Sequence, residues 1–126
     1  MKVETTINSD KSIRIHVVSG KFDMNELLNV LDGLYSGSEQ NLELDALWDL
    51  REAEDVGTLN IQHLDKLVNM VSRKWETDTP HRAALVVSRM VDFGLARMYE
   101  MRMESKSKNE IRVFNNMEQA VHWLSL

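Results

Sequence analysis

The stretch RAALVV, residues 82–87, indicates the fold class, because it is a short, continuous apolar run that begins just after Pro80. A strand buried on one face alternates apolar with polar residues, whereas a strand covered on both faces is apolar throughout. RAALVV therefore predicts a strand of a mostly parallel sheet that is covered on both faces.

Strands and helices alternate on either side of this run. The pattern predicts a hairpin within 3–18, helices at 23–35, 61–75 and 88–103, strands at 42–50 and 111–114, and a final short helix after Asn116. Thr58 or Asn60 is expected to cap the helix at 61–75. The order β-β-α-β-α-β-α-β-α predicts an α/β fold: one mixed, mostly parallel five-stranded sheet with an N-terminal β-hairpin, packed with about four helices.

Composition limits the classes of function. The 126 residues form one expected domain, 1–126, and their net charge of −5 argues against nucleic acid as a partner. The absence of cysteine excludes disulfides and thiolate chemistry. No window is apolar enough to span a bilayer, and the first ten residues do not resemble a signal peptide. We therefore expect a cytoplasmic protein, with peripheral membrane contact left open.

Motifs for catalysis, metals or cofactors are not found. The chain has no G-x-G, no P-loop lysine and no G-x-S-x-G, and its histidines are far apart in sequence, at positions 16, 63, 81 and 122. The acidic residues Glu52, Glu54 and Asp55 could hold a general base but are expected in a solvated loop. Asp49 ends an apolar strand, where parallel sheets present functional groups, and is expected to cap the following loop. We expect no enzyme, no cofactor and no metal site.

The Met-rich helix, SRMVDFGLARMYEMRM at 88–103, is apolar around roughly 240° of its circumference. A helix packed once on a sheet needs an apolar stripe of about 100°. The surplus predicts an apolar groove for a lipid-like ligand, a membrane surface or another subunit. Five residues are predicted to line or gate it: Met90, Phe93, Gly94, Met98 and Met101. Arg89, Arg97 and Arg102 could hold an anionic head group or pair with neighbouring glutamates.

Three segments, LWDLREAEDV at 47–56, RAALVVSRMVDFGLARMYEM at 82–101 and IRVFNNMEQAVHWL at 111–124, resemble the SpoIIAA-like family. These small bacterial proteins have a STAS-like fold and are related to anti-sigma-factor antagonists. The resemblance implies a sheet of about five strands and a non-enzymatic binding or regulatory module. Members have also been likened to lipid-carrying CRAL-TRIO domains.

The resemblance also locates a regulatory position. Anti-sigma-factor antagonists carry a phosphorylatable serine in a DSSG turn, which falls here near Gly57 and Thr58. The Asp-Ser pair is missing, so Thr58 is the remaining candidate for phosphorylation. Three hypotheses result: a ligand-binding or regulatory module, a protein-interaction regulator acting as a homodimer or partner switch, and an enzyme that uses Asp49 or the acidic residues Glu52, Glu54 and Asp55.

Overall fold

The computed structural model describes residues 1–36, 43–76 and 79–126. Its strands are β1 (Lys2–Asn8), β2 (Ile13–Lys21), β3 (Asp45–Glu54), β4 (Arg82–Val86) and β5 (Glu110–Phe114). Its helices are α1 (Met24–Ser36), α2 (Ile61–Lys74), α3 (Met90–Glu104) and α4 (Met117–Leu124), with a 3-10 turn at Val56–Thr58. The predicted element order and the N-terminal hairpin are confirmed.

The five strands form one sheet in the order β1-β2-β3-β4-β5. β1 pairs antiparallel with β2, and β2 to β5 are parallel. Each parallel crossover moves one strand further in the same direction, and right-handed crossovers of this kind place their helices on one face of the sheet. α1, α2 and α3 therefore cover one face, and α4, which follows the last strand, covers the other.

Two clusters of buried residues show that both faces of the sheet are covered. On the three-helix face, Ala46 of β3 and Ala83 of β4 pack with buried residues of the helices: Leu27, Leu31, Leu67, Val68, Val71 and Met103. On the α4 face, Leu47 and Ala84 pack with Ala120, Trp123 and Leu124. The continuous apolar run of β4 is explained by this double coverage.

β3 is longer at its C-terminal end than the sequence predicted. It continues to Glu54, so that Glu52 pairs with Ser19 and Glu54 with Lys21. The prediction of a solvated loop for Glu52 and Glu54 was therefore wrong, although both side chains are exposed. The predicted start of this strand at Leu42 lies outside the described residues.

Asn60 caps α2. Its Oδ1 accepts a hydrogen bond from the backbone N–H of His63 at 2.9 Å, and His63 Nδ1 accepts one in return from the Asn60 backbone N–H at 3.2 Å. This reciprocal pair is a capping box with histidine in the place usually taken by glutamate or glutamine. Thr58, the alternative cap, instead ends the 3-10 turn.

Replacing Asn60 with alanine is expected to lower the free energy of unfolding by about 1 kcal/mol, because the first turn of α2 loses its side-chain acceptor. Urea denaturation followed by circular dichroism measures this change. Asn60→Asp keeps the acceptor and should remain near the wild-type value. Equal losses in the two variants would contradict the assigned cap.

Candidate functional site

An apolar cavity of about 100 Å³ lies between the sheet and helices α1 to α3. Ala83, Leu85 and Val87 line it along β4, over a length of roughly 13 Å at the usual rise per strand residue. The helices contribute leucines and Tyr99, and the aromatic rings of Tyr35, Trp48 and Trp75 complete its walls. An apolar space of this size suits part of a small hydrophobic molecule.

One end of the cavity lies beside a buried cation. Arg14 of β2 is 2% exposed, and its guanidinium carbon lies 5.8 Å from the ring centre of Tyr35 and 5.7 Å from that of Trp75. Both rings line the cavity. No described residue accepts a hydrogen bond from Nε or Nη1 of Arg14. Desolvation lowers the pKa of this guanidinium, yet arginine remains charged in proteins.

His16 lies two positions further along the same face of β2 and is completely buried. Its ring stacks on Trp48 with centroids 4.1 Å apart, and its Nδ1 lies 2.8 Å from Thr5 Oγ1. Its Nε2 has no partner among the described residues. Burial, reinforced by the nearby charge of Arg14, lowers the pKa of His16 to about 3, so the imidazole is neutral at physiological pH.

The two tyrosines of the cavity wall are also neutral. Burial raises the pKa of Tyr35 and of Tyr99, and the Arg14 charge only partly opposes this effect at Tyr35. Neither phenol therefore supplies a negative charge to balance the guanidinium. The polar end of the cavity carries one net positive charge within an apolar and aromatic surrounding.

The other end of the cavity lies next to an open groove between α2 and α3. Leu59, Leu64 and Leu95 line both the cavity and this groove. Ile61 and Met98, which are 53% and 37% exposed, form the outer walls of the groove. The three leucines thus separate the interior from solvent, and their displacement would open the most direct route into the cavity.

None of the five predicted ligand-binding residues lines the cavity, and four of them lie on the outward side of α3. Met90 is 93% exposed, Met101 is 64% exposed, Gly94 is exposed, and Met98 borders only the groove. With Val91, the three methionines form an exposed apolar strip, here called the α3 ridge. The surplus apolar surface inferred from the sequence therefore exists, but it faces solvent; its binding role remains a prediction.

Phe93 has a structural role that the sequence analysis did not assign to it. It packs against the buried cluster of Leu85, Val87, Ala96 and Val113 at the end of the sheet. Ala96 and the buried Asp92 mark the inward direction of this helix, and Phe93 packs on the same side.

The arginines of α3 are engaged in pairs. Arg89 donates Nε to Asp92 Oδ2 at 3.1 Å, Arg97 donates to Glu100 at 3.0 Å, and Arg102 donates to Asp65 of α2 at 2.9 Å. A head group held by these side chains would have to replace existing ion pairs. Arg14, by contrast, is a buried cation without a carboxylate partner among the described residues.

Thr58 is exposed, and its hydroxyl donates a hydrogen bond to the Asp55 carbonyl oxygen at 2.6 Å. The neighbouring Gly57 approaches α3 so closely that an added Cβ would lie 3.2 Å from Val91 Cγ1. Glycine therefore allows the 3-10 turn to pack on the start of α3. Phosphorylation at Thr58 remains a prediction.

Asp49 forms a close ion pair. Arg51 donates Nε to Oδ1 and Nη2 to Oδ2, each at 2.9 Å, and these bonds hold the pKa of Asp49 below its usual value. A general base needs a pKa nearer neutrality, so this environment does not favour catalysis. Across residues 1–36, 43–76 and 79–126, no group of acidic or histidine side chains is arranged to bind a metal ion, and no helix could cross a bilayer.

Sequence analysis missed Arg14 and His16. The alternation of Ile13, Ile15 and Val17 suggested that the residues between them face solvent. β2 lies between two strands and under helices on both faces, so its intervening positions are buried as well. The signal that could have identified them is the interior position of β2 in the sheet. A charged residue on such a strand is a candidate for function.

Stability should decrease at mildly acidic pH because of His16. The pKa of His16 is lower in the folded protein than in the unfolded chain, so unfolding below pH 6.5 takes up a proton. The contribution of His16 to stability is therefore complete above pH 6.5 and is lost progressively as the pH falls towards 3. Between pH 7.5 and 5 the contribution of His16 should fall by about 2 kcal/mol. Denaturant unfolding at both pH values, with His16→Gln as the control, measures it. An identical pH dependence in the variant would refute this assignment.

The comparisons support the fold alone. No protein-family model and no curated protein matches the sequence. The chain is similar to the crystal structure of an uncharacterised DUF3478-family protein with a SpoIIAA-like fold from Shewanella loihica PV-4. The TM-score is 0.55 at 17% identity, over 98% of this chain and 92% of that one. The chain therefore has a SpoIIAA-like fold, as its sequence resemblance implied.

Proposed function

We propose that this chain is a non-enzymatic regulatory module that binds a small apolar molecule between its sheet and helices α1 to α3. The observation that carries the proposal is the cavity, whose walls are apolar and aromatic along about 13 Å of β4. The SpoIIAA-like fold is consistent with a regulatory module, and the ion pair of Asp49 does not suggest chemistry.

The size of the cavity limits its occupant. Pockets for drug-sized ligands measure roughly 300–1,000 Å³, and the volume here is about 100 Å³. A two-chain lipid would require α1 or α2 to move away from the sheet. A single short alkyl chain or one aromatic ring requires only rearrangement of side chains, so we favour this smaller class of lipid-like ligand.

Access is proposed through the groove between α2 and α3. Leu59, Leu64 and Leu95 form the partition, and Leu59 and Leu95 are only half-buried. Leu59 follows the short 3-10 turn and precedes α2, a connection without a regular backbone ladder. Met98 lies at the outer side of this partition, where a flexible thioether can adapt to a passing molecule.

A cavity-filling variant tests the proposal. Leu64→Trp should place an indole in the cavity and abolish retention of a small molecule, without a large loss of stability if the added ring fits. Native mass spectrometry of protein purified from cells, followed by organic extraction, detects what is retained. Val121→Trp on α4, which packs on the opposite face of the sheet, is the matched control. Wild-type protein that never retains or takes up an apolar molecule would refute the proposal.

A second candidate, a protein-interaction regulator, is favoured by the α3 ridge. Its members Met90, Val91 and Met101 are each at least 60% exposed, and Met98 joins them to Ile61 across the groove. Adjacent exposed apolar side chains are a common feature of interaction surfaces. The occupant we propose is a second copy of this chain, as in the predicted homodimer.

Light scattering distinguishes this candidate. If the ridge forms a dimer, wild-type protein should have twice the monomer mass and the Met98→Glu/Met101→Glu variant should be monomeric, because dimerisation would bury the new carboxylates. Ile7→Glu places a charge at an exposed apolar position on β1 and should leave the mass unchanged. A wild-type monomer at every concentration would exclude the homodimer, and co-sedimentation of that monomer with liposomes would instead assign the ridge to a membrane surface.

A further inference from the structure

The charge of Arg14 is not balanced by the surrounding protein. The guanidinium is almost fully buried, two of its nitrogen atoms have no described acceptor, and its aromatic neighbours Tyr35 and Trp75 are uncharged. The carboxylate at this end of the strands, Asp45, is in register with Ile13 and therefore on the opposite face of the sheet. Asp45 already accepts hydrogen bonds from the Arg82 backbone N–H at 2.8 Å and from His81.

Helix ends compensate only part of this charge. Tyr35 and Trp75 belong to the last turns of α1 and α2, whose carbonyl ends carry partial negative charge. This field makes a buried cation tolerable, but it does not supply acceptors to Nε and Nη1. Leaving such donors unsatisfied is costly, so their retention within an otherwise apolar core requires a further explanation.

We propose that the molecule bound in the cavity is an apolar acid whose anionic group pairs with Arg14. This inference rests on the proposed function and specifies the class of its ligand. Arg14 Nε and Nη1, which have no acceptor among the described residues, lie on different edges of the planar guanidinium, and an oxygen of a carboxylate can accept a charge-assisted hydrogen bond from either of them. The apolar part of the acid lies along Ala83, Leu85 and Val87 towards the leucine partition.

His16 adds a second polar contact to this end of the cavity. Side chains two positions apart on a strand are separated by roughly 7 Å on the same face, so an anion near Arg14 is within reach of the imidazole. When Nδ1 accepts from Thr5 Oγ1, Nε2 carries the proton and is a donor. The imidazole is neutral, so it orients the anion without adding charge.

Direct contact requires a small movement. The Tyr35 and Trp75 rings contact the guanidinium and line the cavity, whereas Arg14 itself does not line it. Tyr35 lies in the last turn of α1, so the proposal requires its ring to turn aside while the strands stay in place. The anionic group of the ligand then takes the place of the ring edge and pairs with the Arg14 guanidinium.

The test compares octanoate with octanamide, which share a chain and differ in charge. Binding to isotope-labelled full-length protein is followed by NMR from the Trp48 and Trp75 indole signals. Octanoate should bind wild-type protein roughly tenfold or more tightly than octanamide, as expected for a charge-assisted contact. Arg14→Met should remove this preference, whereas Arg14→Lys, which keeps the charge, should retain part of it.

Stability provides an independent measurement. Without added acid, Arg14→Met should unfold at the same or a higher temperature than wild type, because it removes an uncompensated buried charge. A lower unfolding temperature, together with an unchanged preference for octanoate, would assign Arg14 a purely structural role and overturn the inference.

The two proposals fail in different ways. If octanamide binds wild-type protein as tightly as octanoate, the charge preference is wrong and the apolar cavity remains the site. If neither molecule changes the indole signals and no molecule is retained in native mass spectrometry, the cavity proposal and this inference are both wrong.

Discussion

Coverage of both faces of the parallel strands is the constraint on which the rest of this structure depends. The crossovers all step in one direction, so among the described residues three helices lie on one face and the last helix covers the other. Where helices cover an interior strand on both faces, its side chains are enclosed whatever their polarity. This arrangement produces the core, the cavity and the burial of Arg14 and His16 together.

A polar side chain placed on such a strand lowers stability unless something satisfies it. Asn109, also buried, shows the usual solution, because its amide bonds both the Trp75 carbonyl at 2.8 Å and the His81 backbone N–H at 2.8 Å. Arg14 and His16 instead keep unpartnered nitrogen atoms on the cavity face. The Asn109 amide therefore connects two parts of the fold, whereas the ligand that we propose would account for the unpartnered nitrogen atoms of Arg14 and His16.

Local patterns were sufficient to predict the order of elements, since helix periodicity and the apolar run of β4 depend on nearby residues. They did not determine which faces are covered, because that depends on the direction of successive crossovers. Arg14 and His16, which alternate with the apolar residues of β2, are consequently among the most buried. The surplus apolar surface predicted for α3 is present and exposed, but the inward direction of Phe93 and Asp92 did not follow from the sequence.

The two candidate sites are adjacent, since the groove adjoins both the cavity and the α3 ridge, and are therefore not independent. Leu59, Leu64 and Leu95 form the inner wall of the groove whose outer walls are Ile61 and Met98. A molecule that displaces these leucines changes the shape of the groove, and through Met98 it changes one side of the α3 ridge. A partner that covers the ridge would in turn restrict the same leucines and slow release from the cavity. By thermodynamic linkage each occupant then affects the affinity of the other, which is the property a regulatory module requires.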